Sequence, residues 1–281
     1  PKWLFTWAAT AVLVASFLAL AGLWKRPLLQ EARERTLRLP LPRLLQAACG
    51  LGGIAAFTGL IYAGYAGAQV STANIVPTTV FVVFWIGIPI LSAVAGDLFR
   101  AFNPWLAFAR LVGWTAQRIA GERLPKPLAY PDRLGYFPAA AGLVAFVWIE
   151  LIYPGREDPS SLATLALLYA AIQLIGMSLY GTQAWTSRAD AFSVYFSMFA
   201  RLSPLRWSTT ELNVRAPLSG APRTPIYVAL ALLCCTMIGT TSFDGLTQGP
   251  LWNSVVADLQ SAATNLDLSP KHALQLVQTL A

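Results

Sequence analysis

The sequence predicts an all-α fold: a polytopic transmembrane helix bundle of about six spans, with two or three interfacial amphipathic helices. Three observations predict it. Of 281 residues, 56% are hydrophobic and only 12% charged, a composition outside the usual range of soluble domains. The apolar residues gather into six stretches close to the ~20 residues that cross a bilayer core roughly 30 Å thick. Finally, 17 of the 20 Lys and Arg fall in three of the connecting loops, the bias that marks the cytoplasmic side.

The first stretch, Trp3 to Trp24, is too long and too aromatic at its flanks for a signal-peptide core. With Pro1 in place of a methionine, residues are expected to precede it. The second stretch is Leu44 to Ala66. In it Ala55, Gly59, Ala63 and Gly67 recur every four residues, a ridge of small side chains expected to let another helix approach closely. The third stretch, Thr79 to Leu98, contains Pro89, which removes a backbone donor and predicts a kink. The fourth and sixth, Phe137 to Tyr153 and Ile226 to Phe243, are short. The fifth runs from Leu162 to Trp185.

Between the spans, residues 99–120 place Trp105, Phe108, Leu111 and Val112 at helical spacing with Arg110 and Arg118 interspersed. This predicts a helix lying in the inner interface. Ala191 to Leu202 has the same character, through Phe192, Tyr195, Phe196 and Phe199. A surface helix is expected at Leu251 to Ala263. Ser269-Pro270 reads as a helix start leading to a further span, so 244–281 forms an extracytoplasmic segment after the single transmembrane domain. No internal repeat is evident in the letters.

The loops at 25–43, 99–136 and 186–225 hold six, six and five basic residues. The tally places the N-terminus outside and makes the protein a multi-pass resident of the bacterial cytoplasmic membrane. The inner side carries net +10 and the outer side net −3. The sequence pI near 9.6 therefore reports orientation and contact with anionic lipid, and no nucleic-acid partner is expected. Cys49, Cys234 and Cys235 lie inside apolar stretches without metal-site spacing, and no metal site is predicted.

Six residues form the candidate polar site. Asp97 closes the third span three residues before Arg100, so a local ion pair is expected there; a cytoplasmic substrate or proton site with Arg100 and Asn103 is the alternative. Glu150, one turn from the outer end of the fourth span, must snorkel, pair or stay protonated. Gln173, near the middle of the fifth span, suits an interhelical hydrogen bond. Asp244 follows the hydroxyl-rich exit Thr240-Thr241-Ser242 and, with Glu150 and His272, suits an acidic outer site; capping and turn formation explain the same residues. A Ser242, His272 and Asp244 triad lacks a nucleophile-elbow motif. No cofactor is indicated by any motif.

Several segments carry a resemblance: Gly96-Asp97-Leu98-Phe99-Arg100 with Asn103-Pro104-Trp105; Tyr130-Pro131-Asp132-Arg133-Leu134-Gly135-Tyr136; Ala191-Phe192-Ser193-Val194-Tyr195-Phe196; and Thr241-Ser242-Phe243-Asp244-Gly245. Together they resemble a bacterial polytopic membrane family labelled fenitrothion hydrolase. The resemblance implies a membrane-bound organophosphate hydrolase working with a second membrane subunit.

Three functions compete on this reading. The leading expectation is an auxiliary or structural subunit of a larger bacterial membrane assembly, a bioenergetic one among the candidates, with the lipid bilayer and other membrane subunits as partners. The second is the hydrolase that the resemblance implies. The third is a small-solute transporter with Glu150, Gln173 and Asp97 along its path.

Overall fold

The computed structural model describes residues 2–23, 35–37, 43–120, 126–207, 212–222, 228–247, 249, 252 and 254–258. They are mostly helical. Three helices are long and apolar enough to cross a membrane: Leu44–Ala66, Ile75–Ala95 and Pro159–Tyr180. Around them lie shorter apolar helices, including Phe137–Leu151 and Ala191–Ala200. These lengths are compatible with a membrane protein.

In chain order the helices are α1 (Lys2–Leu23), α2 (Arg43–Ala66), α3 (Ile75–Ala95), α4 (Leu98–Phe102) and α5 (Pro104–Ala120). They continue with α6 (Phe137–Leu151), α7 (Pro159–Tyr180), α8 (Thr182–Arg188), α9 (Ala191–Ala200) and α10 (Val228–Thr247). Short strands β1 (Arg35–Leu37), β2 (Leu205–Trp207) and β3 (Leu212–Val214) form an antiparallel sheet in the order β1-β3-β2. The surface helix expected at 251–263 is helical at 252 and 254–258; the rest of it, with His272 and the start at Ser269, lies outside the described residues.

The short loops lie at one end of the bundle. There Tyr65 and Thr164 share a hydrogen bond of 2.8 Å, and a Cβ on Gly64 would overlap Ala163. Thus α2 and α7 run antiparallel with their ends level. At the long-loop end, Ser203 Oγ donates to the Val94 carbonyl at 2.8 Å and Trp207 Nε1 to the Ala95 carbonyl at 2.6 Å. These bonds satisfy carbonyls that the end of α3 leaves free, and they hold the sheet against it.

Pro89 is accommodated inside a continuous helix. Residues Thr79–Gly87 form a π-helical stretch, and the Ile88 N–H reaches the Val83 carbonyl, five residues back. The wider turn makes room for a ring that would otherwise strike the carbonyl four residues earlier.

Of the two segments expected at the interface, Ala191–Ala200 is folded into the bundle, whereas 104–120 is buried only at its start, through Trp105 and Leu106. After α3 the chain reverses at Gly96, whose φ of 91° suits glycine. It climbs back as α4 and descends as α5. After α7 it reverses at Gly181, φ 83°, climbs as α8 and descends as α9. For α8 the return is fixed by Trp185, whose indole covers Gly176 and donates to Gln173 Oε1 at 2.8 Å. Phe192, Val194, Tyr195 and Phe196 are buried, because α9 packs between α3 and α6. The apolar face of α9 therefore meets protein, whereas Phe108, Leu111 and Val112 on α5 stay exposed. The reversal at Gly181 ends the fifth apolar stretch at Tyr180 rather than Trp185.

These elements form a tandem repeat that the letters do not display. Residues 43–120 run helix, antiparallel helix, return arm, half-length helix (α2 to α5), and residues 137–200 repeat the order (α6 to α9). The contacts exchange accordingly: α5 packs on α2 and α7, while α9 packs on α6 and α3; α4 meets α9, and α8 meets α5. α2 packs closely on α7, whereas α3 and α6 meet through Phe81–Phe146 and Trp85–Phe146 ring contacts at 6.1 and 4.8 Å. α10 adds to the outside of α6, burying Leu230 and Leu233.

The expected small-residue ridge is displaced by one helical position. Ala55 and Gly59 are exposed, and a Cβ on Gly59 would meet nothing within 4 Å. Gly67 closes locally on the Ala63 carbonyl and the Asn74 side chain. Close approach occurs instead at Gly50, against Ala107; at Gly53, against the Phe102 backbone; and at Gly64. Gly53 fits the return arm, Gly50 fits α5 and Gly64 fits α7 at Ala163.

Candidate functional site

The return arms end in two helix N-termini that face each other. Asn103 caps α5: its Oδ1 accepts from the Leu106 N–H at 2.9 Å. Asp190 caps α9, its Oδ1 accepting from the Ser193 N–H at 3.4 Å. Both residues occupy the same place in their repeats, and both are enclosed, at 1% and 0% exposure. Side chains of Asn and Asp suit this position because they accept from backbone donors that the first turn leaves unpaired.

The Asp190 carboxylate is the hub. Its Oδ2 accepts from Trp105 Nε1 at 2.8 Å, Asn103 Nδ2 at 3.2 Å and Ser193 Oγ at 2.6 Å. Its Oδ1 accepts from the Tyr169 hydroxyl at 2.7 Å. Asn103 Nδ2 also reaches Ser193 Oγ at 3.1 Å. The two oxygens therefore divide their work: Oδ2 binds across to the first repeat, whereas the other bonds of Oδ1 stay within the second. No cation touches the carboxylate among the described residues. Its charge is met by neutral donors and by the positive ends of two helices.

The depth of this junction follows from what it touches. Trp105 lies 6.2 Å from Phe57 and 5.3 Å from Tyr169 between ring centroids, and Phe192 lies 4.7 Å from Phe84 and 5.0 Å from Tyr169. Phe57, Phe84 and Tyr169 each sit near the middle of one of the three membrane-length helices. The half-helix α9, of 10 residues, is about 15 Å long, half of a bilayer core. A carboxylate and interrupted helices at that depth are tolerated only where protein or a polar path surrounds them. Here the surround is aromatic: Phe84, Phe99, Trp105, Phe192 and Phe196 pack edge to face about the junction.

α9 is held at its other end as well. Arg215 is buried and donates from Nε to the Ser203 carbonyl at 2.9 Å and from Nη2 to the Ala200 and Arg201 carbonyls at 3.0 and 2.9 Å. An anion at its start and a cation at its end both complement the helix dipole. On α3, Ser92 is fully buried, and its Oγ is the one side-chain atom without a hydrogen-bond partner among the buried described ones.

The residues singled out from the sequence are distributed unevenly. Asn103 is in the junction. Gln173 makes the interhelical bond expected of it, to Trp185. Asp97 does not form the expected ion pair with Arg100: its Oδ1 caps α4 by accepting from the Arg100 N–H at 3.1 Å. Burial raises the Asp97 carboxyl above its ordinary pKa and the Asp190 charge pushes the same way, against the pull of the Arg100 N–H and guanidinium. Glu150 ends α6, half-buried, and its backbone carbonyl accepts from Arg156 Nη1 at 3.0 Å. Asp244 lies inside α10, which continues to Thr247 instead of ending at Phe243; its side chain is outside the described residues. Of the described side chains among the six, Asn103 is the one hydrogen-bonded to Asp190.

No family model, curated protein or solved structure matches the chain. The junction is therefore read on its own chemistry. Sequence reasoning missed Asp190, Trp105, Tyr169 and Ser193. The signal for Asp190 was local: an Asp-x-x-Ser start directly ahead of an aromatic helical run, in a loop otherwise dominated by Arg. Nothing local pointed to Tyr169.

Proposed function

We propose that the protein is a transporter of protons or a small cation, working at the interface of its two repeats. One observation carries the reading: two half-helices meet at mid-depth around a single enclosed carboxylate. Parallel repeats with discontinuous helices at their interface are how many transporters place a site near the bilayer midplane. A subunit with only a scaffolding role has no need of a carboxylate there, where ionisable groups are costly. A cationic substrate suits Asp190, the junction's only charged group. We place the long-loop end in the cytoplasm of a bacterial inner membrane, because the basic residues collect there. With α1, α6 and α10 also crossing, the chain has six spans and an extracytoplasmic N-terminus.

The test is flux through liposomes carrying the full chain and an entrapped pH indicator, under an imposed proton gradient or an inward ammonium or potassium gradient. Flux of at least one of these ions above protein-free liposomes, reduced about tenfold or more in Asp190→Asn, is expected, since a charge-assisted contact contributes roughly 1.5–3 kcal/mol. Flux equal to that of protein-free liposomes, or unchanged in the variant, would contradict the reading.

A second reading, a subunit of a larger membrane assembly, has an observation of its own. Trp7, Phe17 and Leu18 on α1 are 66–71% exposed, and no other described element packs extensively on that helix. A partner subunit is one way to cover it. The organophosphate hydrolysis implied by the resemblance would need a different place, because an ester cannot reach Asp190 and Asn103 while both are enclosed.

A further inference from the structure

The outward face of α5 carries a second site, unrelated to the junction. Arg110, Trp114 and Arg118 recur every four residues, so they form one stripe along the helix. The Arg118 guanidinium lies 4.9 Å from the centre of the Trp114 ring. Arg100, on α4, is close enough for its charge to act on Arg110. None of these three arginines forms an ion pair among the described residues. Beside the stripe, Phe108, Leu111, Val112, Trp114 and Ile119 are 45–88% exposed. Two kinds of surface therefore lie side by side: guanidinium groups without an ion-pair partner among the described residues, and exposed apolar side chains.

The position of the stripe says what covers it. α5 starts at mid-depth at Pro104 and runs toward the long-loop end along α2, with Ala107 against Gly50. At 1.5 Å per residue, Trp114 lies about 15 Å from the midplane, level with the boundary of a ~30 Å hydrocarbon core. Arg118 lies about 6 Å beyond it, among headgroups, and Arg110 about as far inside, where a long side chain turns outward. Tryptophan is enriched at this level for its apolar ring and polar N–H.

We propose that this face binds an anionic phospholipid, its phosphate between Arg110 and Arg118 and its acyl chains along Phe108, Leu111 and Val112. A neutral phospholipid offers the same chains but no net negative charge to offset the clustered guanidinium groups. The inference does not depend on transport, and its test reads lipid contact rather than flux.

The full chain is reconstituted in liposomes in which either phosphatidylglycerol or phosphatidylcholine carries brominated chains, and quenching of Trp114 is taken as the difference from Trp114→Phe. Brominated phosphatidylglycerol is expected to quench more strongly than its share of the bilayer predicts. Arg110→Gln combined with Arg118→Gln is expected to weaken that preference about thirty-fold, at about 1 kcal/mol for each basic side chain. The corresponding Lys pair keeps most of it. Equal quenching by the two lipids, or a preference unchanged in the double Gln variant, would overturn the proposal. So would abolition of the preference by added inorganic phosphate, which would make the site one for a free anion.

Discussion

Asp190→Ala is expected to lower the unfolding free energy by about 3–5 kcal/mol, the cost of breaking a buried, fully paired charge site. Four side-chain donors lose their acceptor at once: Trp105 Nε1, Asn103 Nδ2, Tyr169 OH and Ser193 Oγ. Trp105 and Asn103 stay enclosed, and lipid offers no water to replace the carboxylate. α9 also loses its N-cap, which by itself contributes roughly 1 kcal/mol. Asp190→Asn is expected to be milder, because an amide oxygen still accepts and the hydroxyls of Tyr169 and Ser193 can turn to accept from its N–H₂. Reversible unfolding in bilayer discs, followed by steric trapping or denaturant titration, measures the difference. A loss below about 1 kcal/mol would mean that the donors find other partners.

The second large effect belongs to a glycine. A Cβ on Gly53 would overlap the backbone carbonyl of Phe102, the residue before the α5 cap. Backbone cannot swing aside as a side chain does, so Gly53→Ala must separate α2 from the return arm. The expected cost is about 2–3 kcal/mol, at the upper end of overpacking, with loss of folded yield. Gly59→Ala, six residues along the same helix, meets nothing within 4 Å. It is expected to be neutral or stabilising by a few tenths of a kcal/mol through helix propensity. Thermal unfolding of the pair in one detergent separates the two positions, and equal effects would place the close approach elsewhere on α2.

This contrast also marks where the sequence was legible. Apolar length located α2 to within a residue and found α3, α6 and α7 with ends shifted by a few, since span length is set by the bilayer and shows in composition alone. The small-residue period on α2 was equally plain, yet it pointed to Gly59, because a four-residue spacing says which residues share a face and nothing about which face is used. The return arms were harder. A half-helix packed inside a bundle and an amphipathic helix on a membrane surface share the same letters, as residues 191–200 show. What separates them is the reversal at Gly96 and Gly181, where a glycine at positive φ turns the chain back. A lone glycine in an apolar stretch carries no such label.

The site was legible only in part. Asn103 was legible only as a companion of Asp97 and Arg100 in an alternative cytoplasmic site, and not as a helix cap. Asp190 was counted among the loop acids, since its importance lies in partners 85 and 21 residues away, Trp105 and Tyr169. The tandem repeat was hidden for a related reason. Equivalent positions keep their roles but not their identities: Asn103 pairs with Asp190, and Trp105 with Phe192. That divergence gives the junction its chemistry, because one cap supplies the donor and the other the acceptor.

A double-mutant cycle between Trp105→Phe and Asp190→Asn, unfolded reversibly in bilayer discs, tests most directly that the two repeats meet through this carboxylate. The predicted coupling is about 1–2 kcal/mol, above the ~0.6 kcal/mol average of membrane hydrogen bonds because the acceptor is charged and enclosed. Effects that add to within about 0.3–0.5 kcal/mol would contradict it and leave the two half-helices without their bridge.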